Sequence, residues 1–403
     1  MKKPTNWKYE TLSSLLSRKA TYGIVQPGDH VPNGMPLIRS QDYSTSWCSA
    51  SDIMRVAPEI EKPYARSRVS KGDLLITVVG ANIGKIATVP DWLDGANISR
   101  SVARISVNGL IANPHYIRGF LQGGIRRLLH INSNGGAQPV LNLDDLRDFE
   151  VPLPPLPEQQ KITDILGTWD EALEKLDALI AAKVRRKQAL MQQLLAVAAQ
   201  KTGHGHARHR LGTVVERVTR KNSVANENVL TISAQDGLIN QREYFNRSVA
   251  GADLSGYCLL RRGEFAYNRS SSIGFPYGAI KRLDRYDAGV VSTLYLCFRI
   301  RDTAKVSSDY LAHYLDGGFL NAGLRSVAKE GARAHGLLNI TADEFMDIDI
   351  FLPPLALQTK ISAVLDTADA ELRLLRQQRT ALDHQKRGLM QQLLTGRIRV
   401  AAP

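Results

Sequence analysis

The stretch Gly80-Ala81-Asn82-Ile83-Gly84-Lys85 comes nearest to a catalytic signature in this chain. Glycine-rich loops that end in Lys-Ser/Thr cradle nucleotide phosphates. This one is a residue short of GxxxxGK[ST] and places Ile86 where a metal-holding hydroxyl is needed. It reads as a turn between two strands, with Lys85 free to meet a phosphate. No GxGxxG, GxSxG or HExxH occurs, and the neighbours Asp144 and Asp145 suit a helix start. Cys48, Cys258 and Cys297 are too widely spaced for a metal knuckle, so no metal site and no catalytic residue are expected. The pattern is that of a recogniser that borrows its chemistry.

Recognition of a polyanion is the chemistry these residues do support. The chain of 403 residues carries a formal net charge of +13, which favours nucleic acid as a partner. Arg39-Ser40-Gln41 and Asn268-Arg269-Ser270-Ser271 combine a guanidinium with amide and hydroxyl groups that can read base edges, and both follow apolar runs able to anchor a loop. Arg68, Lys71, Lys85 and Arg104 in the first part of the chain, and Arg220, Lys221 and Arg333 in the second, are candidates for contact with phosphates. DNA-binding candidates are therefore Arg39, Ser40, Gln41, Arg68, Lys71, Lys85, Arg104, Arg220, Lys221, Asn268, Arg269, Ser271 and Arg333. Few cysteines, no signal peptide after Met1-Lys2-Lys3-Pro4 and no long apolar run point to a cytoplasmic protein without a membrane partner.

The elements that must position these groups occur twice. VPLPPLPEQQKI at 151–162 returns as IFLPPLALQTKI at 350–361, and the LMQQLL of Leu190–Leu195 returns as that of Leu389–Leu394, all at an offset of 199 residues. Each copy opens a long amphipathic helix. Ile162, Trp169, Leu173, Leu176, Ile180 and Val184 form one stripe, and Leu372, Leu375, Leu382 and Leu389 form the other. At about 1.5 Å per residue each helix is a rod of roughly 60 Å. Two such rods can bury each other as an antiparallel intramolecular coiled coil. The expected organisation is a first head over 1–150, a long helix over 151–199, a second head over 200–349 and a second helix with a tail over 350–403. A basic connector, Thr202–Arg210, opens the second head. Runs such as Val102–Val107 and Ala279–Arg282 predict strands, and Pro114–Gln122 and Ser308–Leu315 predict helices, so each head is of the α+β class. Lys71-Gly72-Asp73 lies over Arg262-Gly263-Glu264, and the whole is pseudo-two-fold.

Taken in order, Lys71-Gly72-Asp73-Leu74-Leu75, Gly80–Lys85, Arg262-Gly263-Glu264-Phe265-Ala266-Tyr267-Asn268, Gly289-Val290-Val291-Ser292-Thr293-Leu294-Tyr295 and the two Pro-Pro-Leu…Gln-x-Lys-Ile openings resemble the DNA specificity subunits of type I restriction–modification systems. That resemblance implies two target-recognition domains, each reading half of an asymmetric, bipartite double-stranded DNA site. It implies helices that fix the gap between the halves. It also implies partners, namely two adenine methyltransferase subunits and restriction/translocase subunits, on which S-adenosylmethionine, ATP and Mg2+ would be held. The rival reading is a nucleic-acid-binding scaffold unrelated to restriction.

Overall fold

The β-branched and leucine-rich runs of the two heads assemble the same frame twice. In this computed structural model, residues 7–132, 140–200, 207–233, 237–245, 251, 253–271, 274–330 and 338–400 are described. The chain divides into two compact units, Met1–Leu176 with Gln378–Pro403, and Asp177–Gln377. The division falls inside both long helices, so each unit contains one head, part of the first helix and part of the second.

In the first unit a four-stranded antiparallel sheet runs in the order Leu16–Tyr22, Val102–Val107, Leu74–Thr77, Ile86–Thr88. All four residues of Leu74–Thr77 are buried, as a strand covered on both faces requires. A smaller sheet joins Met54–Val56, Met35–Ile38 and Asn97–Ile98. The helix Pro114–Asn132 packs Tyr116, Ile117 and Leu121 into a core with Leu74, Ile76 and Ile105. Leu166, Leu393 and Leu394 of the long helices join that core.

The second unit repeats the frame with Val215–Arg217, Leu296–Ile300, Phe265–Asn268 and Ala279–Arg282 in the same order. Its core is more aromatic. Phe265 and Phe298 stack at 5.2 Å, and Tyr267 lies against Phe345. The helix Ser308–Asp316 corresponds to Pro114–Asn132 and buries Tyr310, Leu311, Tyr314 and Leu315. Gly72 and Gly263 take φ of +83° and +84° at the same turn of each head, a backbone region that side chains other than glycine rarely adopt.

Each head is closed by a two-stranded ladder. Lys8 pairs with Leu153 and Thr11 with Glu150, while Ala207 pairs with Leu352 and Arg210 with Asp349, so both strands of the ladder shift by 199 residues. This corrects the expectation of a connector over Thr202–Arg210. Ala207–Arg210 is a strand, held by the ladder and by the ion pair of Arg208 with Asp349. Residues 202–206 lie outside the described ones.

The long helices span Leu156–Gln200 and Leu355–Leu394. They begin at equivalent positions, so replacing Pro157 by Ala356 does not move the start. Within each unit the pairing between them is antiparallel. In the second, Lys183 meets Glu371 at 2.5 Å and Lys187 meets Asp369 at 2.6 Å. In the first, Asp170 meets Lys386. Ile162, Leu173, Leu176 and Leu372 are buried, and Trp169, Ile180, Val184, Leu375, Leu382 and Leu389 are half-buried. The stripe also includes exposed members, such as Leu179 and Val364, and Leu374 is exposed beside it. No helix among the described residues is long and apolar enough to cross a membrane.

Candidate nucleic-acid interface

The pairing of Leu74 with Thr88 and Ile76 with Ile86 leaves residues 78–85 as the connection of a hairpin. It closes on itself. The Gly84 amide donates to the Thr77 carbonyl at 2.8 Å, Thr77 to Lys85 at 2.9 Å, and Ile83 to Gly80 at 3.1 Å. Gly80 and Gly84 take φ of +100° and +81° to allow this. A phosphate cradle needs several amides pointing outward at a helix start, and here those amides are spent inside the turn and a strand follows. Lys85 is half-buried, and its Nζ makes no ion pair or hydrogen bond among the described residues.

Most arginines singled out from sequence serve the fold. Arg39 holds the buried Asp42 through Nε and Nη2, and Asp42 also accepts from the Arg39 amide at 2.7 Å. Arg68 makes a bidentate pair with the buried Glu61, both contacts at 2.7 Å. That guanidinium and Asn97 hold the Glu61 carboxyl below the usual carboxylate range, although burial acts the other way. Arg220 grips the buried Glu264 at 3.0 and 3.1 Å. An acid taken out of water needs such a fork, because its desolvation is repaid only by close, multiple hydrogen bonds.

Arg104 is a clear correction. It is only 3% exposed, and its guanidinium donates to the carbonyls of Arg66, Arg68 and Lys19. It staples backbone segments and cannot reach a phosphate as it stands. Arg269 likewise donates to the carbonyls of Leu294 and Ile340, and Lys221 to that of Gly256 at 2.9 Å. The side chain of Asn268 accepts from the Ser270 amide. Lys71 is exposed with a loose 3.9 Å pair to Asp91, Gln41 and Ser271 are exposed, and Ser40 is half-buried. Arg333 lies outside the described residues. Of the candidates, Gln41, Lys71 and Ser271 stay exposed, and Lys85 keeps an ammonium without a partner among the described residues.

Sequence reading missed a pair of joints between head and helix. The Gln159 side chain donates to the Pro154 carbonyl at 2.8 Å and accepts from the Asn113 amide at 2.7 Å. Gln358 donates to the Pro353 carbonyl at 2.8 Å and accepts from the Ser307 amide at 2.9 Å. Asn113 and Ser307 immediately precede the head helices, so one buried glutamine fixes each head helix against the start of a long helix. The signal was visible as the repeated Gln-x-Lys-Ile, but repetition alone did not say what the glutamine touches.

A profile of the type I restriction modification DNA specificity domain matches residues 4–182. Over 198 residues the chain is 32% identical to the type I restriction enzyme EcoBI specificity subunit of Escherichia coli, covering 48% of this chain and 41% of that subunit. It is 23% identical to the putative type I restriction enzyme MjaX specificity subunit of Methanocaldococcus jannaschii across 98% of this chain and 95% of that one. Residues 4–182 thus resemble that specificity domain. The Escherichia coli alignment spans less than half of that relative's length. Two solved structures share the fold. A chain from a type I R-M system, studied for its complex assembly and conformational transition, aligns over 99% of this chain and all of its own with a TM-score of 0.61 at 19% identity. The HsdS subunit from Thermoanaerobacter tengcongensis aligns over 99% of both chains with a TM-score of 0.50 at 18% identity. Among the candidates, Lys85 keeps an unpaired ammonium on a hairpin connection, while Arg39, Arg68 and Arg220 are held by buried acids.

Proposed function

We propose that this chain is a specificity subunit that recognises a bipartite, asymmetric sequence in double-stranded DNA, one head to each half, and carries no reaction of its own. The observation that carries this reading is the duplication. Two heads with one strand order but different surfaces are each fixed to a long helix by the same glutamine joint. A repeated frame with divergent loops suits two half-sites of different sequence. The helices act as the spacer between half-sites and as the platform for two methyltransferase subunits and for restriction/translocase subunits. S-adenosylmethionine, ATP and Mg2+ are bound by those partners, and the complex works in the cytoplasm.

The test is a base-resolution map of adenine methylation in host DNA with and without the gene. A split motif that vanishes on deletion supports the reading and gives the sequence read. If co-expression with the neighbouring methyltransferase leaves random-sequence DNA without any split methylated motif, the proposal fails.

A further inference from the structure

One cavity of the first head is not accounted for by the structural roles above. It has a volume of about 700 Å³, within the range of roughly 300–1,000 Å³ usual for small-molecule sites. Three segments wall it: the hairpin turn with Asn82 and Lys85, the 43–47 loop with Tyr43 and Trp47, and the head helix with Arg118 and Gln122. Among the described residues, no acidic one lines it.

Two of its lining polar atoms are buried and unpartnered among the described residues, Arg118 Nε and Thr88 Oγ1. Buried donors without acceptors cost free energy, so they mark places where a partner is expected to arrive. The Lys85 ammonium adds a second unpaired cation. The aromatic wall is rigid. Trp47 packs on Tyr43 at 5.4 Å and meets the edge of Trp92 at 6.2 Å, and the Tyr43 hydroxyl is hydrogen-bonded to Thr77 at 2.9 Å.

The second head closes the equivalent place from within. Strand pairing sets Leu74 opposite Thr88 in one head and Phe265 opposite Arg282 in the other, so Arg282 stands where Thr88 does. Arg282 is paired with Asp284 and Asp309, and its neighbour Lys281 with Asp316. Cations there are neutralised by the head's own acids. In the first head they are left for something else.

We propose that this cleft is a single-nucleotide site, taking one base against Trp47 and its phosphate on Arg118 and Lys85. Asn82 and Gln122 offer amide donors and acceptors to the base edge, and base–aromatic stacking is tolerant of sequence. A free mononucleotide and an unstacked nucleotide of a DNA strand present the same chemistry. The proposal rests on the DNA reading only for the second of these sources.

The experiment is a fluorescence titration of the full chain with the four deoxynucleoside monophosphates, the matching nucleosides and a short single strand. Tryptophan quenching by the monophosphates is expected, with at least tenfold weaker binding of the nucleosides. Trp47→Phe should abolish the signal. Lys85→Ala and Arg118→Gln should each weaken binding at least tenfold while melting like the parent. Release of bound monophosphate by the strand assigns the site to DNA, and no release assigns it to the free nucleotide. Absence of binding by every probe overturns the proposal, as does binding that neither folded variant alters. Should the methylation map fail while the titration succeeds, the cleft stands and the DNA reading falls.

Discussion

At the scale of single residues, the division between structural and free cations decides how variants should behave. Arg104→Lys keeps the charge but loses the planar fork that serves three carbonyls, so it should cost about 1–3 kcal/mol of stability. DNA affinity per folded molecule should not change. Denaturant melts and a binding isotherm on the same sample separate the two, and a stable Arg104→Lys protein with weakened binding would return Arg104 to the interface. Gln159→Ala and Gln358→Ala each leave a half-buried amide without its acceptor, again at about 1–3 kcal/mol. The Gln358 loss should be the larger, because Gln358 alone also donates to the Lys305 carbonyl at 3.2 Å. Sequence made the charges visible but not their partners. Asp42 lies three residues from Arg39, yet Glu264 is 44 residues from Arg220 and the Arg104 carbonyls lie up to 85 residues away. Non-local pairing of that kind is set by the fold. Trp47 and Arg118 were missed for the same reason, since only the packed head brings a polar loop beside a helix.

At the scale of elements, strands and helices were legible because their periods are strong. Val102–Val107 and Ala279–Arg282 form as read, and both long helices start after their Pro-Pro pairs. The connector was misread because four residues rich in Arg and His look solvated until a partner strand is known. The tail was also opaque. Arg399 grips Glu158 at 2.7 and 2.8 Å, and Trp7 donates to the same carboxylate at 3.2 Å. The second long helix has Leu357 in the equivalent place, so this clamp belongs to the first unit alone. The Arg399 guanidinium holds the Glu158 carboxyl below the usual range against the effect of burial. A depressed folded value means that the clamp contributes fully above the unfolded carboxyl value, near about 4.3. It is lost as pH falls through the lower, folded value. Stability measured in urea at pH 7 and again below pH 4 should therefore converge between the parent and Arg399→Ala. A constant gap across that window would show that the clamp is not electrostatic.

At the scale of the whole molecule, the repeat announced a doubled architecture directly, because identical spacing at 199 residues leaves few other arrangements. What it did not reveal is that the compact units trade helix segments instead of ending at the head–helix junctions. If the helices are the ruler between half-sites, removing Leu176–Leu179 together with Leu375–Gln378 should shorten the accepted DNA spacer or abolish recognition. A methylation map of that variant is the measurement, and an unchanged spacer at full methylation would sink the ruler. The glutamine joints carry a different consequence. Gln159 and Gln358 bond only to main-chain atoms of the heads and of the Pro-Pro segments. Every residue but proline offers that amide, so the joint places almost no demand on the side chains it fastens. Mutational drift in a head need not be matched by compensating change in its helix, so the heads can diverge while keeping the same mount.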